Sequence, residues 1–317
     1  MKKNIEHIHI RFCLVLIMIT SSFFMMGQGN YLFNQFTPLD FQINPAKLVN
    51  NKNGAYLFFR NQWVGFSNNP KFYSISGHYN LKDNFFIGGS LNKNSFGKAL
   101  LSNVIQSSAA YRAKLSHENH FISFGIGLKY LNTNYLIEDV IIFDENDPNF
   151  PVNSYKKNNI DFNVGTFYNY KFFKFGLSSS SLIGLLSKNN TFPYNKIINT
   201  EIGFLINRKE NKTKYNDEIT QINFRLRYDQ MSLFQIETIF DYYVSSNYAL
   251  GFGFRYDKRG NVGNSILFHL LFKIAAGRGG KNKCLFAVGP EFNLFNKLLH
   301  NNNKGTYEGF VGYQNEN

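Results

Sequence analysis

The sequence predicts an all-β fold: a transmembrane antiparallel outer-membrane β-barrel of about 14 strands with an irregular N-terminal segment. Three observations carry that prediction. Large apolar residues alternate with small or charged ones over most of the chain. Aromatic usage is high, with 35 Phe and 19 Tyr among 317 residues, and an export signal opens the sequence. Phe, Tyr and Ile favour extended backbone. Charged residues, at 17%, fall below the usual quarter.

The elements follow in chain order. Residues 1–27 read as a signal peptide. Lys2, Lys3 and Arg11 make a basic start, and the apolar run CLVLIMITSSFFMM follows. That run has the length of a secretory h-region and falls short of the roughly 20 residues of a spanning helix. Small residues then place cleavage after Gly27 or Gly29. Losing Lys2, Lys3, Arg11 and Glu6 takes the formal charge from +13 to +11. For an exported chain that balance points to anionic lipid and lipopolysaccharide surfaces, not to nucleic acid. Cys13 leaves with the signal, so Cys284 stands alone and no intramolecular disulfide is expected.

Residues 28–53 do not alternate and carry Pro38, Pro45 and many Asn. They read as an irregular segment ahead of the barrel, either a plug in the lumen or a periplasmic arm.

Residues 54–317 form the barrel. Ile122, Phe124, Ile126, Leu128 and Tyr130 alternate with Ser123, Gly125, Gly127 and Lys129; Tyr248 to Tyr256 repeats the pattern. A soluble sandwich would have to bury nearly a whole sheet of Phe and Tyr. A membrane barrel turns that face to lipid and lines its lumen with the small or charged face. The segments run about ten residues, enough for a tilted strand to cross a bilayer. Many end on Tyr, as at Tyr130, Tyr168, Tyr228 and Tyr256, where an aromatic girdle sits. Fourteen candidate strands run from 55–62 to 305–314. Early connections alternate between tight (82–83, 115–118, 169–170) and long (63–70, 94–101, 133–156, 181–195). The long 209–218 and short 231–232 break the alternation, through a miscounted hairpin or a long periplasmic loop.

Constellations for chemistry are weak. His117 and His120 lie on a turn without a third ligand. His269 alternates with Phe268 and Leu270 and so faces the lumen, but no serine triad is recognisable by spacing. The acidic run DENDPN, 144–149, lacks the spacing and glycine of a calcium loop. No catalytic residue, metal site or cofactor is expected. Lys129, Arg225, Arg227, Asp229, Glu237, Asp241, Arg255, Lys273 and Glu291 fall on the lumen face, as ion pairs across the lumen or as a porin constriction. Lumenal glycines, among them Gly125, Gly165 and Gly251, leave room for an inserted segment.

INPA (Ile43 to Ala46), RNQWVGF (Arg60 to Phe66) and Pro70-Lys71 ahead of a strand resemble the start of the PorP/SprF family, outer-membrane proteins of the type IX secretion system in Bacteroidota. DPNF at 147–150, FGLS at 175–178 and GTYEGFVGYQ at 305–314 keep the family's order, with Tyr307 where histidine is usual. The resemblance implies a non-enzymatic barrel that supports secretion or surface attachment of particular partner proteins, gliding adhesins in some members. Its partners would be type IX machinery components and substrates bearing a C-terminal sorting domain. The family motif maps to Asn44, Pro45, Arg60, Gln62, Trp63, Gly65, Phe66 and Pro70, as partner-binding or structural residues. Alternation puts Arg60 and Gln62 toward the lumen and Trp63 on the opposite face, as an interfacial anchor. The alternative function is an outer-membrane porin or solute transporter.

Overall fold

A period of two sends successive side chains to opposite faces of a sheet, and a closed barrel converts those faces into an outer wall and a lumen. The computed structural model describes residues 39–50, 53–82, 84–116, 120–136, 153–186, 196–206, 219–230, 233–245, 247–257, 264–276, 282–293 and 304–315. The expected signal, the rest of the chain before Leu39, His117, the acidic run 144–149 and DPNF lie outside them.

Fourteen antiparallel strands close into one barrel. They are β1 (Gly54–Asn61), β2 (Lys71–Lys82), β3 (Phe85–Phe96), β4 (Leu100–Lys114), β5 (His120–Tyr135), β6 (Tyr155–Tyr170), β7 (Phe173–Ser181), β8 (Ile197–Ile206), β9 (Ile219–Asp229), β10 (Leu233–Ser245), β11 (Tyr248–Asp257), β12 (Ser265–Ala276), β13 (Asn282–Asn293) and β14 (Thr306–Asn315). Closure runs from Gly54 opposite Gln314 to Asn61 opposite Tyr307, so every strand has a paired neighbour on both sides. No described helix is long and apolar enough to cross a membrane. A single helical turn, α1 (Leu182–Leu186), follows β7; the Asp161 carboxylate accepts a hydrogen bond from the Ile183 amide.

The break in loop alternation is real. β8 and β9 are joined by the long connection 207–218 at the end that otherwise carries short turns, and the described strands close into the barrel without a further hairpin. Short turns face the periplasm in such barrels and long loops the exterior. The end bearing 62–70, 136–154 and 294–305 is therefore external. The connection expected at 94–101 shrinks to 97–99, because β3 and β4 keep pairing up to Phe96 opposite Leu100 before Gly97 turns with φ +71°.

The outer wall is apolar: Leu57, Ile75, Phe124, Ile126, Leu250 and Phe252 are all about half exposed. The interior departs from the expectation of a purely small or charged lumen. Tyr56, Phe58, Phe72, Leu271, Leu285 and Phe310 pack together inside the barrel, and Leu39 joins them. On the other side Phe86, Ala110, Phe121 and Phe167 pack against Phe41, Ala46, Leu48 and Val49. In β1 the run Tyr56-Leu57-Phe58-Phe59 is apolar on both faces, which hides the period. The barrel has a hydrophobic core of its own.

Candidate functional site

The residues ahead of β1 lie in that interior. Asp40–Gln42 and Pro45–Asn50 form two 3-10 turns, buried up to Val49. Pro45 opens the second with its fixed φ and no amide to satisfy. The Asn44 side chain accepts the Ala46 amide at 3.0 Å and donates to the Thr166 carbonyl at 3.0 Å. Gln42 donates to Ser74 at 3.1 Å, and the Ser123 hydroxyl donates to the Ala46 carbonyl at 3.0 Å. A Cβ on Gly125 would overlap the Pro45–Ala46 backbone, and one on Gly165 would overlap the Asn44 amide. These two glycines make room for the segment. Gly251 does not: the His269 ring covers it.

Opposite this seat runs a belt of charge. Lys47 reaches Asp40 at 2.5 Å and Glu201 of β8 at 2.8 Å. Asp40 meets Arg225 of β9 at 3.3 Å, and Arg225 meets Glu237 of β10 at 3.5 Å. Arg255 of β11 joins Glu237 at 2.8 Å to Glu291 of β13 at 3.0 Å. Ser265 of β12 donates to Glu291 at 2.6 Å. Arg60 of β1 then forks between Glu291 at 2.7 Å and Glu308 of β14 at 2.9 Å. Every strand from β8 round through β14 to β1 thus contributes one side chain. Register explains the continuity: Glu201 lies opposite Arg225, Arg225 opposite Glu237, Glu237 opposite Arg255, and Arg60 opposite Glu308. The belt lies on the external side of the apolar cluster, two positions beyond Phe58 on β1 and Phe310 on β14.

Burial makes these pairs consequential. Isolated charges cannot leave water without several kcal/mol of penalty, so each must keep its partners. Burial works against the Lys47 charge, yet Asp40 and Glu201 outweigh it and hold the ammonium above its ordinary range.

The family motif divides between two places. Asn44 and Pro45 sit in the lumenal turns, and Arg60 anchors the belt. Gln62, Trp63, Gly65, Phe66 and Pro70 build the external β1–β2 turn. There the face rule stops at Asn61, so it does not orient Trp63, which lies past the end of the strand with φ 54°. The Gln62 amide donates to the Pro70 carbonyl at 2.9 Å, and the Phe66 amide to the Trp63 carbonyl at 3.3 Å. The Trp63 amide donates to the Thr306 hydroxyl at 3.1 Å, while Val64 and Gly305 pair at 2.8 Å. Gly65, at φ 112°, supplies a conformation closed to other residues. The motif therefore ties β1 to the start of β14 from outside, as Arg60 does from inside.

Other lumenal charges also find partners. Arg227 meets Asp229 at 3.2 Å, His269 meets Asp241 at 2.6 Å, Lys129 donates to the Ser180 carbonyl at 2.8 Å, and Lys273 lies over the Tyr243 ring. Among the described residues no cluster of His, Cys, Asp or Glu is placed to hold a metal ion. Asp40, Lys47, Glu201 and Glu308 are not singled out by the sequence. Alternation marks Glu201 and Glu308 as inward, but nothing local pairs either with a residue far away in the chain.

The model of the family described as type IX secretion system membrane protein PorP/SprF matches residues 25–313. The chain belongs to the PorP/SprF family. This PorP/SprF barrel resides in the outer membrane, and its fold is shared with solved outer-membrane barrels. The Pseudomonas putida toluene transporter TodX is 9% identical, with 92% of this chain and 96% of that chain covered at a TM-score of 0.53. The CymD monoaromatic hydrocarbon channel is 10% identical, with 92% and 95% covered at 0.48. The KdgM porin is 11% identical, with 83% and 98% covered at 0.35. At 9% identity the similarity to TodX concerns the fold alone. A comparison with curated proteins finds no match.

Proposed function

We propose that this PorP/SprF barrel is a non-enzymatic accessory of type IX secretion that supports the export or surface attachment of particular proteins bearing a C-terminal sorting domain, adhesins among them. Its partners are components of the secretion machinery and those substrates. The supporting observation is the occupied lumen: residues 39–50 are held by Lys47 on Glu201 and Asp40 on Arg225. We take the segment to act as a plug. A barrel filled by its own chain is built to present its rims and outer wall, and is poorly built to pass solutes. Asn44, Pro45 and Arg60 are structural in this reading, and the turn from Gln62 to Pro70 offers an external surface to a partner.

Deleting the gene and comparing surface proteomes tests the proposal. Loss of a few large secreted proteins, restored by the wild-type gene, is the expected result. Unchanged secretion with impaired solute uptake would overturn it in favour of a porin or transporter.

A further inference from the structure

Charge is sorted between the two faces of this barrel. Asp257 aside, every acidic side chain described lies in the interior, from Asp40 to Glu308, and none of these is exposed on the outer wall. Lys71 and Lys93, by contrast, are exposed on that wall toward its external end. Lys71 opens β2 opposite Ser95, and Lys93 lies opposite Tyr73, so the two lysines are diagonal neighbours on one face. Such positions stand roughly 7–8 Å apart. Neither has a carboxylate partner among the described residues.

Lys93 also lines a groove of about 600 Å³ across the outer wall of β1–β4. Leu57, Ile75, Leu91 and Ile105 contribute its apolar surface. Outward-facing strand residues of a membrane barrel meet lipid. Lys71 is the first residue of β2 and Lys93 lies near the end of β3, which puts both toward the external rim, where headgroups begin. A volume of this order belongs to ligand pockets. An apolar slot below a pair of ammonium groups with no described carboxylate beside them matches a lipid with an acyl chain below and phosphate above.

We propose that this groove holds one outer-leaflet glycolipid, a multi-acyl lipid with exposed phosphates. An acyl chain lies in the slot and a phosphate sits on Lys71 and Lys93. The inference rests on residence in the outer membrane and not on the role in secretion.

Native mass spectrometry of the full mature protein in mild detergent tests it, with bisphosphorylated lipid A and its phosphate-free form as probes. One bisphosphorylated lipid should be retained per barrel. The double variant Lys71→Gln/Lys93→Gln should lower that retention about tenfold or more, as expected for two lysines at a lipid phosphate. Lys156→Gln, at the external end of β6, should not. Folding of each variant is checked by heat-modifiable mobility. Leu91→Trp, which fills the slot and keeps both charges, should also reduce retention. Equal retention of the phosphate-free lipid would overturn the proposal, as would retention unchanged in both the double variant and Leu91→Trp.

Discussion

Lys47 and Glu201 are 154 positions apart in the chain and meet at 2.8 Å inside the barrel. That contact, with Lys47 on Asp40 and Asp40 on Arg225, fastens the segment ahead of β1 to the far wall. Lys47→Glu would place a third carboxylate against Asp40 and Glu201. Removing one partner of a buried pair already costs about 3–5 kcal/mol, and reversal adds repulsion. The segment should leave its seat while the barrel stays closed. A Val49→Cys reporter in a Cys284→Ser background should resist a maleimide with Lys47 present and react once it is Glu.

Gly125 tests the opposite side of the seat. A side chain there meets backbone of Pro45 and Ala46, which cannot swing aside as a flexible side chain can. Gly125→Leu should expose the same Val49→Cys reporter, with heat-modifiable mobility retained. Continued protection would show that the segment docks elsewhere.

Arg60 joins the first strand to β13 and β14 in a site only 4% exposed. Arg60→Ala should destabilise the closed barrel by about 3–5 kcal/mol, read as a lower temperature for conversion to the unfolded gel band. Arg60→Lys should recover part of the loss, since one ammonium cannot fork as a guanidinium does. No change in that temperature would remove Arg60 from barrel closure and return it to a role in partner binding.

Trp63 adopts a left-handed backbone, which costs a non-glycine residue about 1–2 kcal/mol. A residue kept at such a cost is expected to contribute through its side chain. As an interfacial anchor, the indole should be missed even in Trp63→Gly, whose backbone suits the turn better. Folded yield in lipid vesicles should fall for Trp63→Gly and recover for Trp63→Phe. A Trp63→Gly protein that inserts as well as wild type contradicts the anchor.

Strands were the most legible part of this chain. Period-two alternation located them because lipid on one side and a packed interior on the other penalise any slip of register. It failed at Trp63, where the strand had already ended; in β1 it oriented Arg60 correctly but did not show that Tyr56 and Phe58 pack in the interior while Leu57 and Phe59 face lipid. The charge belt was half legible. Alternation turned Arg225, Glu237, Arg255 and Glu291 to the lumen, but only the register of neighbouring strands decides that they touch. Asp40 and Lys47 carried no such signal, because 3-10 turns seated on other strands have no period of their own. The pairing of Lys47 with Glu201 is a property of closure.

Conductance through single barrels in a planar bilayer tests the central claim, that the lumen is stopped by residues 39–50. Wild-type protein should show little conductance, and a variant lacking those residues should open stable channels. Lys47→Glu, with the segment still attached, should flicker between the two levels. Equal conductance with and without residues 39–50 would contradict the account.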